Sequence, residues 1–313
     1  MYQFNRQTKR FLPQIMGVIL LTGINGCTEN NHTINPGSEN IPILLNSNLS
    51  IDASTRTQNE EIAENQLLSF FVTEENNTAN ILYDNQKLTA ISGGGFTYDQ
   101  PMYYPVSGDK VDFYAIHPYS NAADLGSPLD FTVSGDQSDL NNFLNSDLLY
   151  STVKSVSRTK QAVLLTFNHK LAKIEFTIKA GKGMDLATMN KVTVLNMAPS
   201  TSIDPANGNI TPASGSKIDI LSLGVRGTTG QENEVSGIEA IIVPQTVPQG
   251  QKLFKVTIGN VDYFYTPNTE MEFETGNKYH FVLTINQSSI EVSSTIMDWA
   301  SGSPIAGEGE AED

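Results

Sequence analysis

Four histidines, one cysteine, a loose run of aspartates and two glycine-rich stretches are the residues of this 313-residue chain whose types suit chemistry. His32, His117, His169 and His280 would have to converge to build a hydrolase or a metal centre. Their spacing instead sets three of them singly beside apolar, strand-like residues, which predicts histidines held by structural hydrogen bonds. Asp124, Asp130, Asp136 and Asp139 are of the ligand type that calcium takes, but their Gly- and Ser-rich neighbours predict turn capping. Gly181-Lys182-Gly183 follows a strand-like run and invites a dinucleotide reading, yet Leu186 stands where a third glycine belongs; Gly93-Gly94-Gly95 leads into Phe96-Thr97-Tyr98. Both predict loops between strands. No Gly-x-Ser-x-Gly, His-Glu-x-x-His, Walker or EF-hand spacing occurs. A single cysteine excludes a disulfide framework and a thiolate zinc site. The expectation is a chain with no catalytic residues, no metal and no cofactor.

The cysteine acquires meaning from what precedes it. Arg6, Lys9 and Arg10 form a basic flank, and Phe11 to Ile24 is a mostly apolar run too short to span a bilayer comfortably. Ile24-Asn25-Gly26-Cys27 then resembles the lipobox of bacterial lipoproteins, which implies that Cys27 is acylated and becomes the mature N-terminus; several acyl chains hold a protein stably on a membrane. The alternative is an ordinary signal peptide followed by a free thiol. Residues 1–26 are thus read as a lipoprotein signal peptide. Residues 27–40, polar and carrying Pro36-Gly37, read as a flexible tether. The chain holds 34 acidic and 19 basic residues, a net charge of -15, which argues against nucleic acid or an anionic membrane surface as partner.

From residue 41 onward the apolar residues alternate. Ile174, Phe176 and Ile178 share one face, as do Phe254, Val256 and Ile258; Gly259-Asn260 supplies a two-residue hairpin turn into Val261 to Tyr265. Tyr279, Phe281, Leu283 and Ile285 repeat the pattern, Ile290, Val292 and Ile296 make a last strand on the same face, and Val111, Phe113 and Ala115 do likewise in the first half. A period of two means one buried and one wet face, the mark of antiparallel sandwiches. Helical periodicity is scarce: Asp139 to Tyr150 has room for a short helix or irregular turns, and Met184 to Asn190 for another turn. The polar run Ser151 to Gln161 is the expected boundary, giving domains at 41–158 and 159–300. The acidic, Gly-rich tail at 301–313 is expected to be flexible.

Three segments in order resemble the fimbrillin family, the FimA/Mfa-like subunits of type V pili. They are Tyr103-Tyr104-Pro105 with Val111-Asp112-Phe113-Tyr114-Ala115; Phe167-Asn168-His169-Lys170-Leu171; and Gly276-Asn277-Lys278-Tyr279 running through Ile290 to Ile296 into Asp298-Trp299. The resemblance implies an all-β chain of two transthyretin-like antiparallel β-sandwich domains in tandem, with no catalytic activity. It implies lipoprotein export to the outer membrane, surface exposure and residence in a fimbrium. It further implies cleavage after an arginine by a trypsin-like surface protease, which strips the first strand and leaves an apolar groove for another subunit's strand.

On that pattern the first strand is Ile41 to Ser54, with Ile41, Ile43, Leu45, Leu49 and Ile51 as its apolar pegs, and the cut falls between Arg56 and Thr57. Arg56 is the sole arginine between residues 11 and 157; the alternative is a solvated loop charge. Partners would be other fimbrial subunits, as homo- or heteropolymer, together with the lipid anchor and a host protein or glycan. Only fourteen residues follow Trp299, so no long donor extension is evident, and Ser288 to Trp299 is itself a candidate donor; stalk, tip and anchor positions all remain open. The other reading is a surface lipoprotein that never polymerises and binds glycan or a host ligand through exposed aromatics at Tyr103-Tyr104 and Tyr263-Phe264-Tyr265, residues that alternation equally explains as core.

Overall fold

Alternating apolar residues broken by Gly, Asn and Asp turns fold into strand after strand in the computed structural model of the chain, which describes residues 39–49, 62–224, 233–287, 289–299 and 309–310. The first half contributes β1 (Leu45–Leu49), β2 (Leu67–Glu74), β3 (Asn77–Ala90), β4 (Phe96–Tyr98), β5 (Val111–His117), β6 (Leu129–Thr132), β7 (Leu149–Val156) and β8 (Val163–His169). One short helix, α1 (Leu140–Asn145), lies between β6 and β7. The second half contributes β9 (Ala172–Ala180), β10 (Met189–Met197), β11 (Ser200–Ile203), β12 (Ile218–Leu221), β13 (Glu234–Ile242), β14 (Gln245–Val247) and β15 (Phe254–Ile258). It continues with β16 (Val261–Tyr265), β17 (Met271–Phe273), β18 (Asn277–Ile285), β19 (Ile290–Asp298) and β20 (Gly309–Glu310). The fold is all-β. Its helix begins where a carboxylate supplies the cap: Asp139 accepts from the N–H groups of Asn141 and Asn142 at 2.9 and 3.2 Å.

The first half is built on one seven-stranded sheet, ordered β1-β8-β7-β5-β2-β3-β4. It folds over a core of Ile43, Leu45, Leu68, Phe70, Phe96, Phe113, Leu165 and Phe167, so that its end strands approach: Asn46 on β1 bridges to Gly95 just before β4. In the second half a four-stranded sheet (β12-β10-β15-β16) packs on a five-stranded one (β13-β9-β18-β19-β20). Phe254 of the first meets Phe176 and Phe281 of the second edge-on, with ring centroids 4.9 and 4.7 Å apart. The faces expected from alternation are the buried ones there: Ile174, Phe176, Ile178, Phe254, Val256, Phe281 and Leu283 are all buried. The expected hairpin joins β15 to β16, with Gly259 at φ +59° in the first turn position.

Four details differ from the sequence reading. β5 is buried along its whole length, on both faces, because Tyr114 and Ile116 pack outward into a second cluster with Leu125, Leu129 and Phe131. Two pairings are parallel, β1 with β8 and β9 with β18. The polar run from Ser151 is not a linker at its start: residues 151–156 are the body of β7, and β8 also pairs into the first sheet. The polar residues there serve Asp112, which accepts from the Asn76 and Ser155 N–H groups at 2.8 Å each and from Lys154 Nζ at 3.2 Å. The change of sheet therefore falls between His169 and Ala172 rather than between residues 158 and 159. Finally, Gly309 and Glu310 of the acidic tail pair with Ser294 and Ser293 on the free edge of β19, where a sheet otherwise presents unpaired backbone groups.

Candidate functional site

The segment from Ile41 to Leu49 is a seam. On one side it runs parallel to β8, in the register Leu45–Val163 to Leu49–Phe167, and the Val163 N–H donates to the Leu44 carbonyl at 2.8 Å. On the other side it meets the turn and strand that end the sheet. Ile43 N–H donates to Met102 O at 2.8 Å, Tyr104 N–H to Ile41 O at 3.0 Å, and Ser47 N–H to Gly94 O at 2.6 Å. Two side chains add to this edge. The Ser47 hydroxyl donates to the same Gly94 oxygen at 2.9 Å, and the Tyr98 hydroxyl donates to Ile43 O at 2.6 Å. Gly94 holds φ +75°, a conformation that glycine adopts without the Cβ penalty other residues meet.

Alternation decides which side chains the seam buries. Ile43, Leu45 and Ser47 point inward and are buried; Ile41 and Leu49 pack against the same core, while Leu44 is 39 % exposed. Burying Ile43 and Leu45 contributes about 1.5–3 kcal/mol each. Their surroundings include Phe96, Met102, Tyr104, Leu165 and Phe167. Burial pushes the Tyr98 phenol above its ordinary value and the Tyr104 phenol up to about 12. Among the described residues the Tyr104 hydroxyl has no hydrogen-bond partner, so this ring serves the core by its bulk. At the entry to the seam Lys160 donates to Glu39 at 2.9 Å; that bond, and then the charge behind it, lowers the Glu39 carboxyl below its usual range.

Of the residues singled out in the sequence, Ile41, Ile43, Leu45 and Leu49 come together in this seam. Ile51, Arg56, Thr57, Cys27 and His32 lie outside the described residues. Ser47, Tyr98 and Gly94 were not anticipated. Ser47 carried a signal, since it continues the two-residue phase of Ile43 and Leu45, whereas the reach of Tyr98 depends on pairing that only the fold supplies. The remaining histidines are each bonded. His117 lies between Asp147 O at 2.8 Å and Gln66 Oε1 at 3.1 Å, His169 bonds the Asp147 carboxylate at 2.9 Å and stacks on Trp299 with centroids 3.8 Å apart, and His280 meets Thr177 Oγ1 at 2.9 Å. Two of the four aspartates cap turns, Asp124 accepting from Gly126 N–H and Asp136 from Ser138 N–H; Asp139 caps α1 instead, and Asp130 sits within β6 opposite Ser202. Gly181 is packed by backbone, its N–H donating to Ile285 O at 2.8 Å. Of the aromatics considered for stacking, Tyr104 is buried, whereas Tyr103 and Phe264 are 38 % and 41 % exposed.

The profile of the family described as fimbrillin-like matches residues 55–299, so the seam segment lies ahead of the shared region. A protein of Bacteroides uniformis named as a candidate fimbrium subunit, Fim1C, is 27 % identical over 245 residues, 73 % of each chain. Among solved structures, a candidate cell adhesion protein of Bacteroides uniformis superposes with a TM-score of 0.64 at 24 % identity, covering 82 % of this chain and 99 % of the other. The C-terminally truncated tip fimbrial protein Mfa3 of Porphyromonas gingivalis superposes with a TM-score of 0.52 at 12 % identity, covering 83 % of this chain and all of the other. These likenesses bear on the fold.

Proposed function

The chain belongs to the fimbrillin-like family, and from that premise we propose that it is exported as a lipoprotein through Cys27 and built into a surface fimbria after a protease cuts between Arg56 and Thr57. The observation that carries this reading is the seam. Residues 41–49 form a separate N-terminal segment, ahead of the family's shared region, that closes a sheet between β8 and the Gly94–Tyr104 edge. Residues 50–61 connect it to Ile62 in the sequence and contain Arg56.

Cutting at Arg56 turns an intramolecular strand into a separate peptide. The peptide that begins at Cys27 stays with the lipid, and the body that begins at Thr57 is free to leave. Departure of the strand uncovers Phe96, Met102, Leu165 and Phe167 along a groove with two hydrogen-bonding edges. Exposed apolar surface of this kind drives capture of another extended strand, whose backbone restores the two ladders and whose alternate side chains fill the places of Ile43 and Leu45. While seated, the segment blocks premature pairing at those edges. Ser288 to Trp299 of a neighbour could act as the donor only by leaving its own sheet. β19 holds nine registered pairs with β18, and Trp299 is stacked on His169, so lending it would dismantle the neighbour's own sheet. The role is structural, within a homo- or heteropolymer at the cell surface.

Native trypsin treatment tests this. Wild-type protein should lose residues 27–56 and pass from monomer to oligomer on a sizing column, and Arg56→Ala should remain monomeric. Wild-type protein that stays monomeric after confirmed cleavage, with donor subunits present, overturns the assembly reading.

A further inference from the structure

A cavity of about 700 Å³ opens between the edge strand β16 and the β18–β19 hairpin, where the two sheets of the second half diverge. Phe264, Tyr265 and Asn268 wall one side, and the other mixes the polar Thr284, Glu291 and Ser293 with the apolar Val282, Ile290 and Val292. Its size is that of clefts that take small ligands, ~300–1,000 Å³. We propose that this cavity binds a neutral oligosaccharide.

The chemistry of the walls carries the proposal. Phe264 is 41 % exposed although its strand neighbours Tyr263 and Tyr265 are half-buried, so its ring is not part of the core. Lys252 Nζ sits 3.8 Å from the ring centroid and holds the ring from one face, and Phe264 itself lines the cavity. Tyr265 is held by stacking on Phe254, with centroids 5.7 Å apart and planes 19° from parallel. A flat ring fixed in place offers a surface for the C–H face of a pyranose, as apolar contact at low entropic cost.

The opposite wall supplies what sugar hydroxyls need. Thr284 and Ser293 each donate and accept, and Glu291 accepts only. The Glu291 carboxylate is oriented by Asn286, whose Nδ2 donates to Oε1 at 3.0 Å. β16 pairs with β15 alone among the described strands, so its outer edge adds backbone donors and acceptors along the rim. Charge selects against acidic glycans: among the described residues Glu291 is the one carboxylate that lines the wall and no lysine or arginine does, and the whole chain carries -15. The proposal stands apart from the seam, so neither depends on the other.

The test is calorimetric titration of the full chain with lactose, maltotriose, mannotriose and N-acetylchitotriose, and with sialyllactose as the charged counterpart of lactose. At least one neutral probe should bind at millimolar concentration or below. Phe264→Ala and Glu291→Gln should each weaken that binding at least tenfold while thermal unfolding stays unchanged, since both residues are at the surface. Sialyllactose should bind less tightly than lactose. No binding by any neutral probe at millimolar concentration overturns the proposal, and so does binding that survives both substitutions. Equal binding of lactose and sialyllactose overturns the assignment to neutral sugars.

Discussion

Ser47 donates both its backbone N–H and its hydroxyl to the carbonyl oxygen of Gly94, at 2.6 and 2.9 Å, which clamps the first strand twice to a turn at the far end of its own sheet. Removing the hydroxyl by Ser47→Ala should cost about 0.5–1.5 kcal/mol. Gly94→Ala should cost about 1–2 kcal/mol, because it places a Cβ at φ +75°. Hydrogen exchange separates a local from a global effect. Amides of Ile43 and Ser47 should exchange faster in both variants while those of β18 keep their protection. Equal acceleration in β18 would mean that the seam opens only with the whole fold, and so is not a releasable unit.

The core of the second half hinges on Phe254, whose ring touches Phe176, Tyr265 and Phe281. Phe254→Ala leaves a cavity between the two sheets and should cost about 3–5 kcal/mol, a large fraction of a total of roughly 5–15 kcal/mol. Denaturant unfolding followed by circular dichroism checks it. A loss under ~1 kcal/mol would show that the sheets do not pack through this ring.

Ile174, Phe176 and Ile178 could be assigned to a buried face from sequence because period two and a half-wet strand were both in force there. The helix was legible only as a possibility within Asp139 to Tyr150; the Asp139 carboxylate, expected to cap a turn, caps the first turn of the helix instead. β5 defeated the same logic. Asp112, Tyr114 and Ile116 alternate correctly with Val111, Phe113 and Ala115, but both faces are covered, and a second covering layer leaves no mark on the strand itself. Pairing was the less legible part of the site. The pegs Ile43 and Leu45 were visible, yet their parallel neighbour begins at Val163, more than a hundred residues away, and no local rule brings those segments together. Phe264 shows the reverse limit: three successive aromatics leave open which of the two faces is wet.

The anchor prediction concerns Ile24-Asn25-Gly26-Cys27. Cys27→Ser should leave the precursor uncleaved or mislocalised, because the thiol is the atom that would carry the acyl group. Incorporation of labelled palmitate measures this directly, and equal labelling of mutant and parent would sink the lipoprotein reading.

The pH dependence of stability should carry the signature of His117. The ring is fully buried, and burial pushes its pKa below the ordinary 6.5, against an opposing pull from the Asp147 carbonyl and with a further push from His169. Gln66 Oε1 stands 3.1 Å from Nε2; a neutral ring that donates from Nδ1 to Asp147 O accepts at Nε2, so in that form the Gln66 amide is turned over to present its nitrogen. Unfolding frees the imidazole to take a proton once the pH falls beneath about 6.5, while the folded ring resists until a lower pH. The unfolded state then binds more protons, so this stabilising contribution is complete above about pH 6.5 and is lost as pH falls toward the folded value, by at most about 1.4 kcal/mol per pH unit. Asp112 and Glu175, both with carboxyls lowered in the folded state, lose their contributions in the same direction but only nearer pH 4 and below. Urea midpoints measured between about pH 7 and about pH 5 should therefore decline in the wild type and stay level in His117→Gln. A decline of the same slope in the variant would assign the acid sensitivity to other groups and remove His117 as its source.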